Sequence, residues 1–198
     1  MVPGEAVEVS FAIDQMAYRL VPGHRLRLAL SNSYWPFVWP SPEACVLTVT
    51  GGRLDLPLHQ GSSEEWTPPP AETAEPWKHR VIRPGKTSRR IETELLTGIQ
   101  RLIVEDDLGD VENLTHGLQT GETMSELWEI GEDPTSARAV HVWEQRLSRG
   151  DWQVRTKAEA EMTCTTTHLR MKASLSAWEG DALIFQRDWD DEVERRFV

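Results

Sequence analysis

Six histidines, His24, His59, His79, His116, His141 and His168, are the bases that nucleophilic catalysis would draw on, and they are scattered along the chain. Such chemistry needs an exposed nucleophile, a base within hydrogen-bond reach and an acid to orient the base. In the α/β-hydrolase arrangement the serine occupies G-x-S-x-G on a strand-to-helix elbow, and the sequence holds no such pentapeptide. Its nearest fragment, Gly61-Ser62-Ser63, lies in an acidic stretch without the strand and helix that would expose the serine. No H-x-x-x-H or H-E-x-x-H spacing offers a zinc site. The acidic groups Glu105-Asp106-Asp107 with Asp110, and Asp188 with Asp190-Asp191-Glu192, do not alternate around a glycine as a calcium loop requires. A charged hairpin tip accounts for the first and a solvated strand end for the second. The residues therefore assign no catalytic group, no metal ligand and no cofactor.

A different chemistry, contact through aromatic faces, is offered by Tyr34, Trp35, Phe37 and Trp39. Pro36, Pro40 and Pro42 restrict φ around them, so the rings can be held without strand pairing. Three uses fit: stacking on sugar, packing on a neighbouring domain to wall a cleft, or burial in the chain's own core. His24 follows the turn dipeptide Pro22-Gly23. It is either a base at a strand edge or a ring that ties the turn, and Arg25 and Arg27 follow on the polar face of the same segment.

The elements that must position these residues are strands. Val7, Val9, Phe11 and Ile13 alternate with polar or small residues, as do Leu26, Leu28 and Leu30, which predicts half-buried strands. Cys45–Thr50 and Arg53–Leu58 read as a hairpin across Gly51-Gly52. From about 59 to 76 the composition turns to Pro, Glu, Ser and Thr, which predicts an exposed connector. Beyond it, Lys86–Leu95 and Gln100–Glu105 read as strands, Glu105–Asp110 as a turn, and Val111–Leu118 as the returning strand. The T-x-x-E spacing of Thr123–Glu126 has the form of a helix-capping box, so Glu126–Ile130 is a short strand or a helical turn.

Ala137–Leu147 follows as a strand. The clearest alternation places Trp152, Val154, Thr156, Ala158, Ala160, Met162 and Cys164 on one face, and Leu169, Met171, Ala173, Leu175 and Ala177 repeat it. Turns fall at Arg149-Gly150-Asp151 and Glu179-Gly180-Asp181, and Ala182–Asp188 reads as the last strand. Many short strands with regular turns predict an all-β, jelly-roll-like antiparallel β-sandwich, with residues 1–198 as one domain.

Composition narrows the partners. A formal charge of −11 argues against a nucleic-acid surface, and Lys78, His79, Arg80, Arg83, Lys86, Arg89 and Arg90 read as the solvated face of a strand pair and turn. The nine tryptophans compensate for a thin aliphatic core. No apolar run reaches the ~20 residues of a membrane helix. The segment Met1–Glu5 has neither the basic nor the apolar part of a signal peptide, so a cytoplasmic setting is expected, with Cys45 and Cys164 as buried free thiols.

The run Pro22–Ser31 followed by Ser33–Pro42 resembles the C-terminal β-sandwich domain of CocE/NonD-type serine hydrolases, the family of X-Pro dipeptidyl-peptidases and acyl-ester hydrolases. Gly51–Pro57, Asp133–Ala137, Arg149–Trp152 and Phe185–Asp190 resemble further pieces of that domain, in family order. The resemblance implies a non-catalytic accessory domain that packs on an α/β-hydrolase domain and shapes its substrate cleft. It also implies that the His24-Arg25 pair is structural. Family members carry the catalytic domain, a helical cap and the opening sandwich strands ahead of the Val2–Glu5 segment. The expectation is therefore a sandwich lacking its first strands, a partner domain or chain that supplies them, and self-association through an open sheet edge. A free-standing module for carbohydrate or a protein partner is the alternative.

Overall fold

The computed structural model describes residues 2–59, 61 and 67–196. They divide into two compact units, one running to Ser31 and one from Asn32 onward.

The first unit is extended chain. Its turns lie at Pro3-Gly4 and Pro22-Gly23, and the amide of His24 donates to the carbonyl of Val21 across the second. No strand ladder forms in it among the described residues. The alternating residues are open to solvent, with Phe11 69% and Leu28 58% exposed. The predicted strands at Val7–Ile13 and Arg25–Ser31 are thus corrected to extended segments that enter no sheet among the described residues. Alternation sets which side chains share a face, but a strand exists only where a neighbour takes up its N–H and C=O groups.

In the second unit the hairpin expected across Gly51-Gly52 is likewise absent: residues 43–59 are extended and exposed. The connector expected at about 59–76 falls partly on residues 60 and 62–66, outside the described residues; its described part from 67 onward is exposed and lies in no strand.

Among the described residues, eight strands then build one antiparallel sheet: β1 (His79–Arg83), β2 (Lys86–Thr93), β3 (Gln100–Asn113), β4 (Gln119–Ile130), β5 (Arg138–Arg149), β6 (Trp152–Cys164), β7 (His168–Glu179) and β8 (Ala182–Glu194). From β3 to β8 each strand pairs with the next in sequence, while β1 and β2 share the outer edge of β3. The all-β antiparallel character expected from the sequence is what the chain has, in a single sheet consistent with one layer of a β-sandwich. The turns read at Gly150 and Gly180 join β5 to β6 and β7 to β8.

The register assigns the two faces. Pairs Ala158↔Leu175, Ala160↔Ala173 and Met162↔Met171 put both predicted alternations on the same side, with Trp128, Ala139, His141 and Trp143 from β4 and β5. Among the described residues the buried apolar side chains are Val104, Ala137 and Ala139, and Pro40 is buried as well.

The opposite face is charged. Arg101 on β3 binds Glu129 on β4 at 3.0 Å; Arg138 on β5 binds Glu129 at 3.1 Å and Glu161 on β6 at 2.5 Å. These pairs form a ladder of alternating sign across four strands, the arrangement that stabilises cross-strand neighbours.

Two readings of the middle region are corrected. Glu105–Asp110 is no hairpin tip: β3 runs straight through it, with a bulge between Asp107 and Gly109 opposite β4. Gly109 has φ +77°, and a Cβ there would collide with the Arg83 carbonyl oxygen, so the bulge needs glycine. Thr123–Glu126 caps no helix either; it lies inside β4, paired with β3 and β5. The basic cluster runs along β1, the Pro84-Gly85 turn and β2, but these two strands pair with β3 and not with each other. Arg80, Arg83, Arg89 and Arg90 are engaged there with carboxylates of β3.

Candidate functional site

The aromatic loop lies at the end of the sheet where β4 stops, β5 starts and β8 ends. Its placement follows from two contacts. The Trp35 ring meets Trp128 of β4 edge to face, with centroids 5.6 Å apart, and Trp39 meets Trp35 the same way at 5.1 Å. At the other end of the loop, Arg195 donates to the Pro40 carbonyl at 2.5 Å and to the Thr165 carbonyl at 2.9 Å. A backbone bond from the Val38 amide to the Tyr34 carbonyl, 2.9 Å, closes the turn between these anchors.

Trp128 is the hub. Its indole N–H donates to Glu126 at 2.9 Å, and its ring meets the His141 ring edge to face at 4.7 Å. Glu126 stands directly opposite His141 on β5, and Trp128 opposite Ala139, a residue only 3% exposed. Small residues opposite a tryptophan leave room for a second ring above the sheet. Two buried polar atoms on this molecule have no hydrogen-bond partner among the described residues: the Trp39 indole nitrogen and one Asp106 oxygen, whose companion oxygen accepts from Arg89 at 2.7 Å.

The four loop aromatics divide by this geometry. Trp35 and Trp39 are half-buried against the sheet. Tyr34 and Phe37 stack on each other, centroids 5.1 Å apart and 24° between planes, and stand in solvent at 64% and 80% exposure. His24, Arg25 and Arg27 belong to the other unit and are exposed. Sequence reading missed Trp128, His141 and Arg195. Trp128 was hidden within the supposed capping box region, and Arg195 has no local motif to mark it.

A second polar cluster spans the charged face. Arg83 binds Asp107 and Asp110, Arg146 binds Asp110 at 3.2 Å and Glu144 at 2.9 Å, and Arg155 binds Glu144 at 3.2 Å while its guanidinium sits 3.7 Å from the Trp178 ring centroid. Hydrogen bonds from Arg83 and from the Gly109 amide lower the Asp107 carboxyl to about 2. Burial alone would raise Asp110 and Glu144, but their arginine partners outweigh it and hold both below the usual carboxylate range. Every charge in this cluster is compensated from within, which marks it as structural.

Of the remaining chemistry-bearing residues, Asp188 and Asp190 lie within β8 rather than after it, and Asp190 accepts two bonds from Arg170. Cys45 and Cys164 are both free, but Cys45 is exposed, not buried as expected, because its predicted strand has no sheet to enter. Ser62 and Ser63 lie outside the described residues. No group of three or more His, Cys, Asp or Glu among the described residues could hold a metal ion, and none of the helices there is long and apolar enough to cross a membrane.

Residues 1–92 match the family model of the X-Pro dipeptidyl-peptidase C-terminal non-catalytic domain. Over that stretch the chain is similar to this domain family. The matched span takes in the first unit, the aromatic loop, β1 and most of β2, and stops short of Trp128 and the rest of the sheet. No curated protein and no solved structure matches the chain.

Proposed function

We propose that the chain, with its Pro- and Glu-rich connector at about 59–76, serves as one non-catalytic accessory domain of a CocE/NonD-type serine hydrolase. In this reading it packs on an α/β-hydrolase domain and shapes the cleft that admits X-Pro peptides or acyl esters, in a cytoplasmic setting. The observation that carries it is the split of the aromatic loop within the matched span. Trp35 and Trp39 anchor the loop to its own sheet, which leaves the stacked Tyr34–Phe37 pair facing outward. Large aromatics held rigid and exposed are the kind of residue that anchors protein interfaces. Tyr34 and Phe37 are then the partner-facing residues, Trp35 and Trp39 the residues that position them, and His24 with Arg25 and Arg27 a structural motif of the domain.

Co-expression with the α/β-hydrolase domain of an X-Pro dipeptidyl-peptidase tests this. The two should co-purify, and the double variant Tyr34→Ser/Phe37→Ser should lose the partner while keeping its own thermal midpoint. A parent chain that never retains the hydrolase domain overturns the reading. Retention on an immobilised glycan in its place, sensitive to the same double variant, would instead make the chain a free-standing carbohydrate module, which the exposed stacked pair would also suit.

A further inference from the structure

The sheet has a long edge in β8. Its thirteen residues pair with β7 on one side, and no strand lies on the other among the described residues. All of them are exposed except Trp189. An ordered, exposed edge of this length presents a row of N–H and C=O groups that another strand can extend.

The side chains specify which strand. On the mainly apolar face β8 presents, in order, Phe185, Arg187, Trp189, Asp191 and Val193, set by the pairings of those residues with Ala177, Leu175, Ala173, Met171 and Leu169 of β7. Read outward from Trp189, the positions two residues away are a cation and an anion, and those four away are both apolar. Such a sequence is complementary to itself when turned end for end. Two copies of β8 laid antiparallel about a two-fold axis through Trp189 bring Arg187 opposite Asp191 twice, Phe185 opposite Val193 twice, and Trp189 opposite its twin. The rotation keeps the apolar faces of both sheets on one side.

We infer that the chain forms a two-fold dimer through antiparallel β8–β8 pairing centred on Trp189, joining two sheets into one. The charged face tolerates this register. Asp188 falls opposite Asp190 of the second copy, but Asp190 is already neutralised by two hydrogen bonds from Arg170, at 2.8 and 2.7 Å, and Lys172 faces it across β7. Antiparallel pairing is the more stable mode per residue, and an isologous contact closes at two copies rather than propagating. This surface is distinct from the Tyr34–Phe37 pair, so the dimer stands or falls independently of hydrolase docking.

Sedimentation of the full chain over a concentration series should show a monomer–dimer equilibrium. Arg187→Asp or Asp191→Arg alone creates two like-charge pairs and should weaken the dimer by about tenfold or more, whereas the double swap Arg187→Asp/Asp191→Arg restores it. On a Cys45→Ser/Cys164→Ser background, Trp189→Cys should crosslink two copies on oxidation, because opposed residues of antiparallel strands lie within disulfide reach. Gln186→Cys, which faces Glu192 of the second copy, should not. A monomer at every concentration overturns the inference, as does a dimer indifferent to both single reversals, or one that crosslinks through Gln186→Cys and not Trp189→Cys.

Discussion

Trp35 and Trp128, ninety-three residues apart by their numbers, meet ring edge to ring face at 5.6 Å between centroids, and that contact seats the aromatic loop on the sheet. Trp128 in turn is fixed by Glu126 and His141, so the loop is held by residues of two neighbouring strands.

Because the two indoles act as a pair, their truncations will not add. Trp128→Ala should cost about 2–4 kcal/mol, less than a fully buried tryptophan because its ring is only half covered. In a double-mutant cycle with Trp35→Ala the coupling should be ~0.5–1.5 kcal/mol, the range for aromatic pairs. Urea denaturation of the four chains reads it. A coupling indistinguishable from zero would mean that the loop rests on the sheet without drawing stability from this contact.

Gly98 and Gly109 have nearly the same positive φ, +72° and +77°, but different surroundings. A Cβ on Gly98 meets open space, while one on Gly109 meets the Arg83 carbonyl oxygen and the backbone of Pro84 and Gly85. Gly98→Ala should therefore cost only the left-handed backbone term, ~1–2 kcal/mol. Gly109→Ala adds the collision of two strand backbones and should cost clearly more. Equal shifts in the denaturation midpoint would refute the bulge as the reason for Gly109.

Acid should unfold the chain through the arginine–carboxylate cluster. Asp107 is lowered to about 2 and Asp110, Glu144 and Asp190 are also lowered, so each holds fewer protons in the folded than in the unfolded state below the unfolded value of about 4. Their contribution is fully present above pH ~4 and is lost as pH falls through each lowered folded value, which for Asp107 is about 2. The urea midpoint should decline across that window, and Asp107→Asn should flatten the decline. A midpoint that stays level from pH 5 to pH 2 contradicts the cluster's role.

The later sheet was legible because its strands carry strict two-residue alternation between Gly-containing turns. Trp152–Cys164 and the repeat from Leu169 are β6 and β7 with the faces as read. The stretch Glu105–Asp110 was not legible, since acids before a glycine compose a hairpin tip and a bulge equally well. What decides between them is Arg83, more than twenty residues earlier, whose guanidinium gathers Asp107 and Asp110 and whose carbonyl crowds Gly109. Thr123–Glu126 shows the same limit: a local capping pattern gives way to pairing on both sides. At the aromatic loop the rings were recognisable as a surface, but the division into inward Trp35 and Trp39 and outward Tyr34 and Phe37 depends on Trp128, which no spacing connects to them.

The Arg195–Pro40 clasp joins residues 155 positions apart, while every pairing from β3 to β8 joins neighbours across a short turn. Closing so long a loop costs roughly 3 kcal/mol more chain entropy than closing a hairpin. The meander therefore zips up strand by strand through local encounters, and the clasp forms last, on a sheet already in place. In the reverse direction it is the first connection to yield. The surface that carries Tyr34 and Phe37 is thus expected to loosen at its Pro40 end before the strands beneath it melt, while Trp35 still holds it to Trp128.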